Sequence, residues 1–140
     1  MKTLYTTSVT AKGGRDGKVK SENGILELDV KTPKALGGAS DEFTNPEMLF
    51  AAGYSACFGS ALSLVIGKAK IKTGEVSVTA KVSIGQIENG GYGLAVEMDV
   101  NIPQVTLEEA QSLTEKAHQI CPYSNATRNN IEVKLAVTNN

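Results

Sequence analysis

Hydrophobic and polar positions fall into two patterns along the chain, and the first is short-range alternation. Residues 2–12 mix Thr, Val and Tyr and predict a first strand. Gly13-Gly14-Arg15-Asp16-Gly17 follows as a turn, since Gly and Asp accept the dihedrals that turns require, and Lys18 to Ser21 continues as a second strand. Asn23-Gly24 is a hairpin signal. Beyond it Leu26, Leu28 and Val30 alternate with Glu27, Asp29 and Lys31, the mark of a half-buried strand. Pro33 to Thr44 reads as a loop containing Gly37-Gly38.

The alternation then stops. Asn45 caps a helix with Pro46 at its first position, where a missing N–H costs nothing. From Met48 to Gly67, 20 residues carry no charge. That length could cross a bilayer. Against this, six of the 20 are Gly or Ser, no second such segment exists, and the flanks read as strands. The expectation is no membrane span but a helix buried on all sides, wrapped by sheet or by a partner.

Alternation resumes with Val76, Val78, Ala80, Val82 and Ile84, and again with Leu94, Val96, Met98, Val100 and Ile102. Glu88-Asn89-Gly90-Gly91 joins these two strands as a hairpin. Thr106-x-x-Glu109 is a capping box. It opens a helix with Leu107, Ala110, Leu113, Ala117 and Ile120 on one stripe. Pro122 stops that helix, because the residue before a proline is biased away from the helical region. A short new helix can start there with Cys121 at its cap. Ile131, Val133, Leu135 and Val137 form the last strand. The order β-β-β-α-β-β-α-β, with mainly antiparallel hairpins, predicts an α+β fold in a single domain, residues 1–140.

Composition narrows the function classes. Lys+Arg is 14 against Asp+Glu 15, and aromatic residues are 5% with no Trp. This leaves no basic footprint for nucleic acid and no stacking platform for single strands. The two cysteines, Cys57 and Cys121, and the single histidine, His118, do not make a closed structural zinc set, so no metal or cofactor is expected. The first residues show no signal-type apolar segment, and the expected location is the cytoplasm, where thiols stay reduced.

Chemistry, if present, rests on the thiols. Cys57 lies in the uncharged helix with Gly53, Tyr54, Ser60 and Ala61 at helical spacing, so its sulfur is open to close approach. Cys121 continues the apolar stripe of its helix and at a helix start would feel a field that favours thiolate. A small buried hydrophobe is the commoner fate of a free cysteine. A reactive thiol in an apolar helix needs a cation, because burial alone raises its pKa. Arg15 and Arg128 are the only arginines, and Glu47 is the acid nearest Cys57 in sequence. Each of these also fits a solvated surface side chain. A Cys57/His118/Cys121 metal site and a Cys–His acyl-transfer pair remain open as lesser alternatives.

At these residues the chain resembles a known family. Asn45-Pro46-Glu47-Met48-Leu49-Phe50-Ala51-Ala52-Gly53-Tyr54-Ser55-Ala56-Cys57-Phe58 looks like the signature of organic hydroperoxide resistance proteins, the Ohr branch of the OsmC/Ohr family. Cys121-Pro122-Tyr123-Ser124-Asn125-Ala126-Thr127-Arg128 is similar to the second signature, and the Arg15 turn to the arginine turn near the N-terminus.

The resemblance implies antiparallel sheets around a long buried helix, in an intertwined homodimer with active sites at the subunit interface. It implies a thiol-dependent peroxidase for alkyl or lipid hydroperoxides. Cys57 would be the peroxidatic cysteine, Cys121 the resolving one, Arg15 the thiolate-activating cation and Glu47 its carboxylate partner. A dihydrolipoyl group on a carrier protein, or another dithiol, would be the reductant. The loop Gly37-Gly38-Ala39-Ser40-Asp41-Glu42-Phe43 is bulkier than is usual in the family. On a straight helix Glu47 precedes Cys57 by about 15 Å along the axis and about 80° in azimuth. The two therefore connect through Arg15, through a helix break before Gly53, or from different subunits. The competing class is a dimeric binding protein for a hydrophobic ligand, with inert buried cysteines.

Overall fold

The computed structural model describes all 140 residues. The chain divides into two compact units, Met1–Leu49 and Phe50–Asn140.

The first unit is an antiparallel sheet, β1 (Val9–Lys12), β2 (Gly17–Ser21) and β3 (Glu27–Val30), in the order β1-β2-β3. Strand β1 is shorter than the Thr- and Val-rich stretch predicts. Its register begins at Val9 opposite Ser21, where β2 ends, and beyond it one further bond, from the Glu22 amide to the Ser8 carbonyl at 3.2 Å, closes the pairing, so residues 1–7 have no ladder to join. Past Ser21 the chain turns, and the Ser21 amide donates to the Leu26 carbonyl at 2.8 Å. Val19 and Val30 are buried on one face, while Lys18 and Lys20 on the other pair with Glu27 and Asp29. The loop after β3 contains a 3-10 turn at Lys34–Leu36 and returns to the sheet where Thr44 bridges Val30.

Helix α1 (Pro46–Ala69) starts as expected: the Asn45 side chain accepts from the Met48 amide at 2.9 Å, and Pro46 stands at the first position. It runs unbroken for 24 residues. That removes a helix break before Gly53 from the three ways of connecting Glu47 with Cys57.

In the second unit the sheet order is β4-β5-β6, with β4 (Ser77–Gln86), β5 (Tyr92–Asn101) and β6 (Glu132–Thr138). The β4–β5 hairpin is antiparallel as predicted, but β6 pairs with β5 in parallel. Alternation fixes which face of a strand is buried and is blind to strand direction. The connection between β5 and β6 holds α2 (Leu107–Ile120) and the short α3 (Pro122–Thr127). The capping box of α2 forms in both directions. Ala110, Leu113 and Ala117 are buried, whereas Leu107 and Ile120 at the ends of the expected stripe are exposed. A straight helix meets the core only along its middle turns.

Tyr54, Phe58, Leu62 and Val65 of α1 pack with Val96, Met98 and Val100 of β5 and with α2 into one core. The rest of α1 is not covered by its own chain. Ala52, Ala56, Ser60, Ser63 and Leu64 are exposed, with Leu64 at 52%. Its own chain thus covers one side of the helix, and of the two expected coverings the sheet supplies this one. Its 18-residue window has a mean hydropathy of 1.7, high enough and long enough to cross a membrane, but that window includes the residues that pack against β5.

Candidate active site

Two pairs of the sequence-predicted residues meet, one in each unit. In the first, Gly13 and Gly14 adopt φ of +79° and +56°, a region where a side chain is strained, and this bends β1 into a 3-10 turn, Gly14–Asp16. The bend presents Arg15 to Glu47 in the first turn of α1. The guanidinium grips the carboxylate with two bonds, Nη1 to Oε2 at 2.9 Å and Nη2 to Oε1 at 2.6 Å. This planar fork is the geometry that favours arginine over lysine. Hydrogen bonding to Arg15 holds the Glu47 carboxyl below the ordinary carboxylate range, and Glu47 raises the Arg15 pKa in turn.

In the second unit Cys57 of α1 meets Cys121, the cap between α2 and α3. Their sulfurs stand 3.7 Å apart across 64 positions, and both thiols are free. Cys121 is fully buried and Cys57 half-buried. Burial pushes the Cys57 thiol pKa up, the backbone amide of Tyr123 pulls it down, and Cys121 adds a further upward push. No cation contributes. Cys121 caps α3 without a side-chain hydrogen bond, and the amide that lowers the Cys57 pKa belongs to the second residue of α3.

The other candidates are committed elsewhere. Arg128 donates to the Asn125 side chain at 2.7 Å and to the His118 carbonyl at 2.8 Å, closing the corner between α2 and α3. The His118 Nδ1 lies 2.9 Å from the Ser124 hydroxyl. Cys57, His118 and Cys121 do not converge as metal ligands.

Tyr123 was not legible as a site residue. Its ring leans across α1 at Gly53, where an added Cβ would sit 2.8 Å from the Tyr123 hydroxyl oxygen. It also stacks obliquely on Tyr54 and Phe50. The available signal was Pro122, which makes the next amide a free donor at a helix start.

A sheet-and-long-helix fold that sets a free cysteine from the central helix against one at a crossover cap defines a class, and the comparisons agree with it. The family model described as OsmC-like protein matches residues 38–136. The organic hydroperoxide resistance protein of Xanthomonas axonopodis pv. citri is 50% identical over 137 residues, covering 97% of this chain and 96% of that one. The organic hydroperoxide resistance protein OhrA of Bacillus subtilis is 48% identical over 136 residues, with 96% of each covered. A crystal structure of an organic hydroperoxide resistance protein from Elizabethkingia anophelis superposes with a TM-score of 0.97 at 74% identity, covering 100% of both chains. The chain belongs to the OsmC/Ohr family.

Proposed function

We propose that the chain is a thiol-dependent peroxidase that reduces organic hydroperoxides to alcohols. The observation that carries the reading is the 3.7 Å approach of Cys57 to Cys121, two free thiols held by separate elements. The names of the similar proteins, organic hydroperoxide resistance proteins, support it.

The Cys57 thiolate attacks the outer oxygen of R–O–OH. The O–O bond breaks, the alkoxide leaves and takes a proton to become the alcohol, and Cys57 is left as a sulfenic acid. Cys121 attacks that sulfur, expels water and forms the Cys57–Cys121 disulfide. An external dithiol such as a dihydrolipoyl group reopens it by exchange, leaving as a cyclic disulfide and restoring both thiols. The family resemblance gives Arg15, gripped by Glu47, the role of thiolate-activating cation, a role no group within the unit of Cys57 fills. The uncharged, aromatic surroundings of Cys57, with Phe58 and Tyr54 as neighbours on α1, suit an alkyl or lipid hydroperoxide better than hydrogen peroxide.

The working form is a homodimer with active sites at the subunit interface. The open faces of α1 and a groove of about 330 Å³ between Ser55, Ala56, Gly59, Ser63 and Val76, Val78 support this, since an apolar helix left half-uncovered calls for a partner. We read residues 1–140 as one OsmC/Ohr-like domain acting in the cytoplasm in the response to oxidative stress.

Turnover of an organic hydroperoxide with a dithiol, set beside hydrogen peroxide, tests the reading. Dithiol-dependent consumption with loss of both free thiols is expected. Two thiols inert to peroxide would favour the ligand-binding alternative, and a monomer at micromolar concentration would overturn the homodimer.

A further inference from the structure

Beneath the two sulfurs lies a chain of polar side chains that the peroxidase mechanism does not use. It joins all three helices of the second unit. The His118 Nδ1 on α2 is 2.9 Å from the Ser124 Oγ on α3. Ser124 is 3.0 Å from the Tyr54 hydroxyl on α1, and that hydroxyl is 3.2 Å from the Thr127 Oγ1. Thr127 reaches back to the Tyr123 carbonyl at 2.9 Å. Tyr54 and Ser124 are fully buried and Thr127 nearly so, so water does not complete the set.

Counting protons orients the chain. The Thr127 hydroxyl also lies 3.2 Å from the Ser124 carbonyl and shares its one hydrogen between the two carbonyls, so the four links of the chain need four hydrogens while the three hydroxyls carry one each. A carbonyl only accepts, so Thr127 donates to Tyr123. Tyr54 then donates to Thr127, and Ser124 donates to Tyr54. Ser124 has no hydrogen left for His118, so the fourth hydrogen sits on the His118 Nδ1. The reverse orientation leaves one buried contact with no proton in it, a cost that buried polar groups rarely carry.

From this count we infer that His118 is a positioning residue for the thiol pair: a neutral imidazole with its proton on Nδ1, donating into a relay that ends on the Tyr123 carbonyl and holds the Cys121-Pro122-Tyr123 corner, whose Cys121 sulfur stands 3.7 Å from that of Cys57. The inference rests on the peroxidase reading only for its use in catalysis; the relay and the thiol can both be measured without turnover. Burial first, then the nearby Arg128 charge, lower the His118 pKa, while Glu115 opposes them, so the ring is neutral at pH 7. The Phe58 ring faces it at 6.3 Å. Around Cys57 the groups from packed elements in its unit are Cys121 and the Tyr123 amide.

Two measurements on the full-length reduced protein test this. The nitrogen-15 spectrum of the imidazole at pH 7 is expected to show a neutral ring protonated on Nδ1. A ring protonated on Nε2, or an imidazolium, overturns the assignment. The second is the pH profile of Cys57 alkylation in a Cys121→Ser background. His118→Asn keeps an N–H donor near the Nδ1 position and should leave the midpoint close to the parent value. His118→Leu and Ser124→Ala break the relay and should move it up by about half a unit or more as the Tyr123 amide loosens. All three variants are to be compared at matched folded fraction by circular dichroism. Equal midpoints for His118→Asn and His118→Leu would overturn the positioning role, and the spectrum of the unsubstituted protein keeps the tautomer falsifiable if a variant fails to fold.

Discussion

In the first unit, Val19 and Val30 are the only buried apolar side chains, and the ion pairs stand in the open: Lys18 with Asp29 at 3.3 Å and Lys20 with Glu27 at 2.8 Å. In the second, α1, α2 and β5 close a core in which Tyr54, Phe58, Leu62, Met98 and Ile102 have no measurable exposure. Charge is concentrated where water still reaches, and the thiols where it is kept out. The difference bears on chemistry. A thiolate in the dry unit has one backbone amide to hold it and is otherwise pushed towards the neutral form. The bidentate Arg15–Glu47 pair belongs to the other unit.

Removing the reacting sulfur breaks the comparison most completely. Cys57→Ser should abolish dithiol-dependent turnover. Cys121→Ser should consume about one equivalent of peroxide and stop, leaving an oxidised Cys57 without its resolving partner. Equal steady-state rates in the two variants would reverse or erase their roles.

Taking the cation from the first unit comes next. An opposite charge nearby lowers a thiol pKa by about 1–3 units. Arg15→Ala should therefore slow peroxide attack about tenfold or more at pH 7 and regain part of the rate as the pH rises. Arg15→Lys should recover less than its charge suggests, because Glu47 holds a planar fork better than an ammonium. The pH profile of Cys57 alkylation decides this, and an unchanged profile in Arg15→Ala would dissociate the two units chemically.

Stability separates them less steeply. Met98→Ala should cost about 3 kcal/mol, and Val19→Ala about 1.5 kcal/mol, read as shifts in urea midpoint. Equal costs would mean that the small sheet is packed as firmly as the large core.

The smallest effect belongs to Glu47. Its pKa is lower in the folded chain than its ordinary 4.5, so the pair stabilises the protein fully above that value and loses this as the pH falls through the folded pKa. The stability gap between the parent and Glu47→Gln should close on acidification. In turnover at pH 7, Glu47→Gln should be milder than Arg15→Ala, since it loosens the cation without deleting it. A gap that stays constant down to pH 2 would show that the carboxylate charge contributes nothing.

The sequence was most legible where local rules are strong. The cap at Asn45, the capping box at Thr106, the stop at Pro122 and the alternation in β4 and β5 each follow from neighbours a few residues away, and each stands where it was expected. What local rules do not carry is partner choice. Residues 2–7 have strand-forming side chains but no ladder to join, and β6 alternates correctly while running parallel to β5. The Arg15–Glu47 pair was expected only through the family resemblance. The support that Cys57 draws from the Tyr123 amide was not expected, because it depends on how a helix cap meets the flank of another helix.

The parallel pairing of β6 with β5 also sets an order in time. A hairpin such as β4–β5 closes from contacts near in sequence, whereas a parallel partner must wait for its whole crossover. Cys121 sits inside that crossover, between α2 and α3. On the ribosome Cys57 therefore emerges well before Cys121, and β6, which docks the connection, follows later still. Before Cys121 is made the nascent chain carries a solitary thiol on an apolar helix. The approach of the two sulfurs forms only once β6 has docked the connection, and a chain truncated before β6 would keep both cysteines yet lack the arrangement that brings them together.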